Sequence, residues 1–313
     1  MNITLHEMAR KMREHNAYRI IYHKSPDGDA VMSAYALAAA LQSIGKVCEP
    51  VCCDPIPKEY LDMIADFRFT PVDHYTAIAV DSADNKRLGI YEKEKITLCV
   101  DHHENRMVAD YKYVVPEASS CCELIYRLVL EMGIVITSKL AELLYTGLVT
   151  DTLCFRTYST NAASLKAAAE LAEYGVNIVA IARRFALEKT PERIAIERIL
   201  LDSFHYTCDS RILGCMVTHD DLARIGAVDS RLEGLNLIVD QVQGPEIGIV
   251  VRETQPGHCR VSVRTYAGLN AAEICASFGG GGHADRAGGE IEASPAEALK
   301  KAEAAAAAYI NKH

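Results

Sequence analysis

The sequence predicts an α/β protein of two domains: an N-terminal parallel sheet with helices on both faces, a helical connector, and a smaller α/β domain. Three observations predict this class. The chain has 313 residues, which at about 150 residues per domain favours two domains. In its first half, short apolar β-rich runs alternate with helical patterns, as in parallel sheets. Near residue 190 a strongly helical stretch begins, and a different pattern follows it. We therefore place the domains at residues 1–188 and 207–313, with the connector at 189–206.

The elements of the first domain follow from hydrophobic periodicity. The N-terminus is typical of an amphipathic helix in which Arg and Lys are scattered. Strands are predicted at 18–22, 47–52, 75–80, 96–100 and 112–115. Helices with apolar residues at three- and four-residue intervals are predicted at 30–44, 120–132, 138–149, 161–173 and 177–185.

The second half begins with the connector helix, in which Pro191 occupies a first-turn position where its missing N–H costs nothing. This helix is predicted to run to about residue 204. It is followed by a strand near 212–217, helices at 220–225 and 232–242, paired strands at 247–252 and 259–264, and an Ala-rich helix from Pro295.

Composition excludes several classes of protein. A net charge of −9, with 24% charged and 50% hydrophobic residues, is unlike a disordered chain or a generic polyanion binder. No run of about 18 apolar residues occurs, so we expect no membrane partner and a cytoplasmic location. The eleven cysteines show no C-x-x-C spacing, and we expect reduced core thiols.

Four polar clusters follow predicted strands or a helix, which is where open α/β sheets place their ligands. The first, third and fourth predicted strands lead into HKSPDGDA, VDSAD and VDHHEN, and the helix 138–149 leads into VTDTLCF. The candidate metal ligands in these clusters are His23, Asp27, Asp29, Asp81, His102 and Asp151, with Asp101 and His103 beside them.

Six ligands of this kind suit two divalent ions better than one. Mixed carboxylate and imidazole ligation favours Mn²⁺ or a similar ion, because Mg²⁺ rarely takes His and structural Zn²⁺ usually recruits Cys. Two such ions would neutralise four neighbouring carboxylates. Asp81, the single candidate ligand of its cluster, is the natural bridging ligand. Taken singly, each Asp is better explained as a turn residue or a helix N-cap, but four unrelated caps in these places are not expected.

HKSPDGDA, VDSAD, VDHH and TDT resemble, in the same order, the four motifs of the DHH phosphoesterase superfamily. The resemblance implies that one metal is held by His23, Asp27 and Asp81. It implies that the other is held by Asp29, Asp81, His102 and Asp151. Asp81, Asp101 and His103 would then form the catalytic group. Asp101 would orient a metal ligand without binding the metal itself, and His103 would face the substrate phosphate.

The second domain contains Arg264 near a strand end and the glycine run 279–282 followed by His283. Glycines let the backbone approach an anion and direct N–H groups at it, although a flexible turn is the alternative. The segment resembles the DHHA1 domain, except that Arg286 stands where a small residue is expected, either as a phosphate contact or facing solvent. The implied substrate-binding residues are His103, Arg264, Gly280, Gly281, Gly282, His283 and Arg286.

The two resemblances cover nearly the whole chain, and the arrangement looks like the nano-RNase and 3'-phosphoadenosine 5'-phosphate (pAp) phosphatase subfamily. This implies hydrolysis of short oligoribonucleotides, and of pAp to AMP, by a hydroxide generated at two Mn²⁺ ions. A clamp formed by the second domain would measure substrate length. The acidic net charge fits a short substrate and argues against tracking along long nucleic acid. A homodimer is compatible with the sequence but is not indicated by it.

Three alternatives to this function fit the sequence to different degrees. The same clamp would suit cyclic or linear signalling dinucleotides such as c-di-AMP, pApA or pGpG. A nucleotide sensor with a dead centre is disfavoured because the ligand set is complete. A Rossmann-type redox enzyme is excluded because HKSPDGDA, and not G-x-G-x-x-G, follows the first strand.

Overall fold

The computed structural model describes residues 1–227, 234–266 and 268–312. The chain divides into two compact units, Met1–Glu188 and Lys189–His313. Each unit contains its own sheet, so the α/β class with a second, smaller sheet domain is confirmed. In the described residues, no helix is both long and apolar enough to cross a membrane.

The first unit is built on five parallel strands: β1 Ala17–Ile21, β2 Val47–Val51, β3 Thr76–Val80, β4 Ile96–Asp101 and β5 Ala109–Val114. Their order in the sheet is β2-β1-β3-β4-β5. The α-helices are α1 Leu5–Glu14, α2 Gly28–Ser43, α3 Leu61–Ile64, α4 Cys121–Glu131, α5 Ser138–Asp151, α6 Ala162–Ala172 and α7 Ile178–Ala182. Short 3₁₀ helices lie at Lys58–Tyr60 and Asn85–Tyr91, and a π-helical turn at Arg183–Leu187 continues α7.

The two faces of this sheet are covered differently. On one face, alternate residues such as Ile20 and Val80 pack in a large core with α2, α4 and α5. On the other face, Ile21 and Ala79 pack against Leu88 of the 3₁₀ helix Asn85–Tyr91. Helices therefore lie on both faces, with α-helices on one and a 3₁₀ helix on the other.

Local side-chain caps start the helices that surround the candidate site. Asp27 accepts a hydrogen bond from the Ala30 amide at 3.0 Å and so starts α2. Ser120 caps α4 through the Glu123 amide at 3.0 Å, and Thr137 caps α5. The sequence predicts each of these three helices to within two residues.

The second unit contains α8 Pro191–Asp202, β6 His205–Thr207, β7 Ile212–Val217, α9 His219–Ile225, α10 Leu237–Asp240, β8 Ile247–Gln255, β9 His258–Thr265, α11 Ala271–Ala276, β10 Gly281–Gly282, β11 Arg286–Glu292 and α12 Pro295–Ile310. Its six strands lie in the order β10-β11-β9-β8-β7-β6. Only β7 and β8 are parallel among the pairs of this sheet in the described residues. One face packs against α11 and α12, and the other packs in part against α8, α9 and α10.

Several elements differ from the sequence-based expectation. The predicted helix 232–242 lies partly outside the described residues, and its described part contains only the four-residue α10. The predicted helix 177–185 divides into α7 and the π-helical turn. The hydrophobic pattern does not predict β6, α11, β10 and β11, because these elements are short or rich in glycine and carry little periodicity.

Candidate metal centre

The six predicted metal ligands come together at the carboxyl edge of the first sheet. Three of the chain segments that carry them follow β1, β3 and β4, while Asp29 lies in the first turn of α2 and Asp151 is the last residue of α5. Ligand atoms within 4.8 Å of one another form three groups: His23, Asp27 and Asp81; Asp29, His102 and Asp151; and Asp81, His102 and His103.

Asp81 faces an imidazole with each of its two carboxylate oxygens. Its Oδ2 lies 3.6 Å from His23 Nε2, and its Oδ1 lies 3.4 Å from His102 Nε2. The residue is 2% exposed, and its φ of 50° is a left-handed conformation that non-glycine residues rarely adopt. Asp81 thus joins two groups of potential ligands.

The remaining carboxylates face the same two nitrogens. His23 Nε2 lies 3.6 Å from Asp27 Oδ2. His102 Nε2 lies 3.8 Å from Asp29 Oδ2 and 3.5 Å from Asp151 Oδ2. Each Nε2 atom is therefore the centre of a small set of carboxylate oxygens.

The other ring nitrogen of each histidine is bound to a backbone carbonyl. His23 Nδ1 lies 2.8 Å from the Lys24 carbonyl oxygen, and His102 Nδ1 lies 3.2 Å from that of Ala118. Because a carbonyl can only accept, each Nδ1 carries the hydrogen and each Nε2 is directed at carboxylates. A lone pair that faces carboxylate oxygens requires a cation or a proton between them. Asp81 Oδ1 is also buried without a hydrogen-bond partner in the described chain, so the donor set fits divalent metal ions.

The pKa values show how strongly this cluster demands positive charge. Burial disfavours the charged imidazolium, but the nearby carboxylates of Asp27 and Asp81 outweigh it and raise the pKa of His23 to about 10. Burial likewise opposes the charged form of His102, but the attraction of the nearby Asp81 carboxylate outweighs burial and raises the pKa of His102 to about 11. Burial, together with the negative charge of Asp81, raises the pKa of Asp29 well above its usual value. Protons thus take the place of cations when no metal is bound.

Asp29 is held in place by the amino terminus of α4. Its Oδ2 accepts a hydrogen bond from the Cys121 amide at 2.5 Å, and its Oδ1 accepts one from the Cys122 amide at 2.9 Å. These amides belong to the first turn of α4 and have no partner within the helix. This contact could not be predicted from the sequence, because backbone donors leave no signature in side-chain identity.

Behind the cluster, Asp101 is fully buried and orients His103. Its Oδ1 accepts hydrogen bonds from His103 Nδ1 at 2.8 Å and from the His102 amide at 2.8 Å. Its Oδ2 accepts a hydrogen bond from the side-chain amide of Asn105, which also donates to the Ser82 carbonyl at 3.1 Å. His103 Nε2 is left to face outward from a side chain that is 42% exposed. Asn105, which has no predicted role in the sequence, therefore positions Asp101.

In the second unit, Arg264 on β9 lies directly opposite Arg286 on β11. Burial lowers the pKa of Arg264, and no ion pair to it is found among the described residues. Arg286 is exposed, and its Nε lies 3.3 Å from Asp285 Oδ2. Like charges in directly opposite positions destabilise a sheet, so this pair favours a bound anion.

The glycine run forms a tight hairpin of β10 and β11. A Cβ at Gly280 would overlap the Gly288 carbonyl oxygen, and one at Gly282 would lie 2.6 Å from the Ala287 Cα. The His283 amide donates to the Arg286 carbonyl at 2.7 Å, while the His283 side chain is exposed. Gly280 and Gly282 are thus required by close backbone packing, and Gly281 is exposed with open space around it.

Comparison with known proteins agrees with these two regions of the chain. The DHH family, N-terminal domain, matches residues 18–148, and the DHHA1 domain matches residues 227–312. The chain belongs to the DHH phosphoesterase family. It is therefore a hydrolase whose ligand set fits divalent metal ions.

Individual relatives in this family cover most of the chain. The bifunctional oligoribonuclease and PAP phosphatase NrnA of Thermus thermophilus is 29% identical over 280 residues, which is 87% of this chain and 83% of that protein. A probable manganese-dependent inorganic pyrophosphatase of Bacillus licheniformis is 22% identical, and the match covers 70% of this chain and 80% of that protein. The crystal structure of an exopolyphosphatase-related protein from Bacteroides fragilis has the same fold, with a TM-score of 0.86 and 23% identity. The match covers 97% of this chain and 96% of that one.

Proposed function

We propose that this protein is a Mn²⁺-dependent phosphoesterase that hydrolyses short oligoribonucleotides and converts pAp to AMP. The observation that carries the proposal is the pair of ligand groups joined by Asp81, whose two oxygens each face a histidine. Similarity to the Thermus thermophilus oligoribonuclease and PAP phosphatase supports the choice of substrates. A second divalent ion is supported by the number of ligands, since six side chains exceed what one small site requires.

Each part of the centre has a distinct task in this proposal. Two divalent ions would lower the pKa of bound water and neutralise negative charge on the phosphoryl oxygens. His23, Asp27 and Asp81 would hold one ion, and Asp29, Asp81, His102 and Asp151 the other. The carbonyls of Lys24 and Ala118 keep both histidine Nε2 atoms turned toward the ions.

His103 is suited to donate a hydrogen bond to the substrate. Burial opposes its charged form, but the hydrogen bond to Asp101 outweighs burial and raises the pKa of His103. With Nδ1 bound to Asp101, the Nε2 hydrogen is free to bond a phosphoryl oxygen as its negative charge grows. Asp101 keeps the ring in this orientation.

The second unit carries its own candidate groups for binding a phosphate. Arg264 and Arg286 offer two guanidinium groups on neighbouring strands, and the exposed Gly281 and His283 lie on the adjoining hairpin. These few cationic groups suit a ligand with few phosphates. They do not form the long basic groove that polymer tracking needs.

The first test is turnover by metal-stripped protein, with and without added Mn²⁺, on pAp, an RNA dinucleotide, a 24-nucleotide RNA and c-di-AMP. We expect Mn²⁺-dependent cleavage of pAp and the dinucleotide alone. Asp81→Asn should reduce it by more than about 100-fold, the upper range for groups that only orient a ligand. Asp84→Asn is the matched control, because Asp84 lies on the same loop and only caps the Arg87 amide.

The other outcomes separate the alternatives. Preferred cleavage of c-di-AMP would replace the proposed substrates with signalling dinucleotides. Absence of Mn²⁺-dependent turnover on all four compounds would refute the proposed function.

A further inference from the structure

Helices α2 and α5 approach each other through glycines. A Cβ at Gly28, the first residue of α2, would overlap the side chain of Thr150 on α5. A Cβ at Gly147 on α5 would overlap Cys122 Sγ and lie 2.9 Å from Asp29 Oδ1. Glycine inside a helix is disfavoured relative to alanine, so Gly147 opposes the local helical preference of α5. What it provides is room for Asp29 and Cys122.

This close approach brings together two carboxylates that belong to different helices. Asp29 on α2 and Asp151 on α5 lie 3.8 Å and 3.5 Å from the same atom, His102 Nε2. A wider spacing of the two helices would separate these carboxylates. The distance between α2 and α5 therefore sets how far apart the carboxylates of Asp29 and Asp151 lie.

Asp29 also has no freedom to move aside. Both of its oxygens accept amide hydrogens from the first turn of α4, and the residue is 1% exposed. Its Oδ1 is the oxygen that a side chain at residue 147 would approach. The carboxylate is thus confined between the amino terminus of α4 and the bare backbone of α5.

We propose that Gly147 is a positioning residue for one of the two metal ions, the ion held by Asp29, His102 and Asp151. The proposal rests on the two-metal centre of the proposed function. The groups nearest to a Cβ at Gly147 belong to Cys122 and Asp29, and neither residue belongs to the group of His23, Asp27 and Asp81. A larger side chain at residue 147 should therefore weaken the binding of one ion and leave the binding of the other unchanged.

The test is calorimetric titration of metal-stripped Gly147→Ala with Mn²⁺, together with the electron paramagnetic resonance signal of coupled Mn²⁺ pairs. We expect one site of wild-type affinity, a second site weakened at least 10-fold, and loss of the coupled signal. Adding Cys122→Ala removes the Sγ atom that the new methyl group meets, and should restore part of the second affinity. Cys122→Ala alone keeps the amide that binds Asp29 and is the reference against which the double variant is compared.

Gly248→Ala is the matched control for crowding in general. A Cβ there would lie 2.5 Å from Val239 Cγ2 in the second unit. We expect this variant to unfold at a lower temperature and to bind both Mn²⁺ ions with wild-type affinity.

The outcomes distinguish this proposal from the proposed function. If the wild-type protein does not bind two Mn²⁺ ions, the two-metal centre itself is wrong. If the wild type and Gly147→Ala give the same two-site isotherm, only the positioning role is wrong. If Gly147→Ala does not fold, the Gly147→Ala/Cys122→Ala protein is titrated in its place, and wild-type affinity at both of its sites would overturn the proposal.

Discussion

Asp27 serves the fold with one carboxylate oxygen and the candidate site with the other. Its Oδ1 accepts the Ala30 amide at 3.0 Å and starts α2, while its Oδ2 lies 3.6 Å from His23 Nε2. The sequence suggested a helix cap and a metal ligand as alternatives, yet a carboxylate has enough acceptor positions for both. The type and order of the candidate ligands could thus be predicted from side-chain identity. The support from the α4 amides and from Gly147 could not, because it depends on backbone atoms that only the fold brings near.

At the residue scale, Asn105→Ala should lower turnover about 10- to 100-fold, because Asp101 loses the donor that fixes it behind His103. Asn85→Ala is the control, since Asn85 accepts only the Val108 amide at 2.8 Å in a neighbouring loop. Steady-state kinetics on pAp with saturating Mn²⁺ measures the effect. Equal losses in the two variants would show that Asn105 only supports the loop.

At the scale of elements, the sequence predicts best where an element is long and apolar. The strand expected at 212–217 is β7, and the helix expected from Pro295 is α12. β11 escaped prediction because Gly288 and Gly289 interrupt its alternation, and these glycines are present because other backbone approaches them closely. Tertiary packing requires glycine at those positions, and tertiary packing cannot be inferred from a single sequence.

Within α8, Glu197 should stabilise the second unit in a pH-dependent way. Burial alone would raise its pKa, but hydrogen bonds from Arg193 and Lys189 outweigh burial and lower it. An acid whose pKa is lower in the folded state stabilises the fold above its unfolded pKa, and this contribution disappears as the pH falls through the folded pKa. Glu197→Gln should therefore cost about 1 kcal/mol at pH 7 and almost nothing near pH 2.

Urea unfolding at the two pH values, followed by circular dichroism, measures this difference. Asp202→Asn is the control, because Asp202 lies at the end of the same helix in an exposed pair with Arg198 at 3.8 Å. An equal cost of Glu197→Gln at both pH values would mean that the side chain contributes packing and not charge.

At the scale of the whole molecule, each unit has its own apolar core, and all the candidate metal ligands belong to the first unit. We therefore expect two transitions in differential scanning calorimetry of metal-free protein. Mn²⁺ at 100 times its dissociation constant should stabilise the first unit by about 2.7 kcal/mol per ion and leave the other transition in place. Asp81→Asn should abolish the shift. One transition that moves as a whole with Mn²⁺ would contradict this expectation.

The candidate ligands come from chain segments that are far apart in sequence, from His23 to Asp151. None of the eleven cysteines, all of which lie in the described ranges, forms a disulfide. Ions bound at this centre would therefore be the cross-links of the first unit. They would close loops of tens to about a hundred residues, which for a covalent bridge corresponds to about 4 kcal/mol of lost chain entropy in the unfolded state. Unlike a disulfide, such a cross-link forms in a reducing environment and can be removed by a chelator.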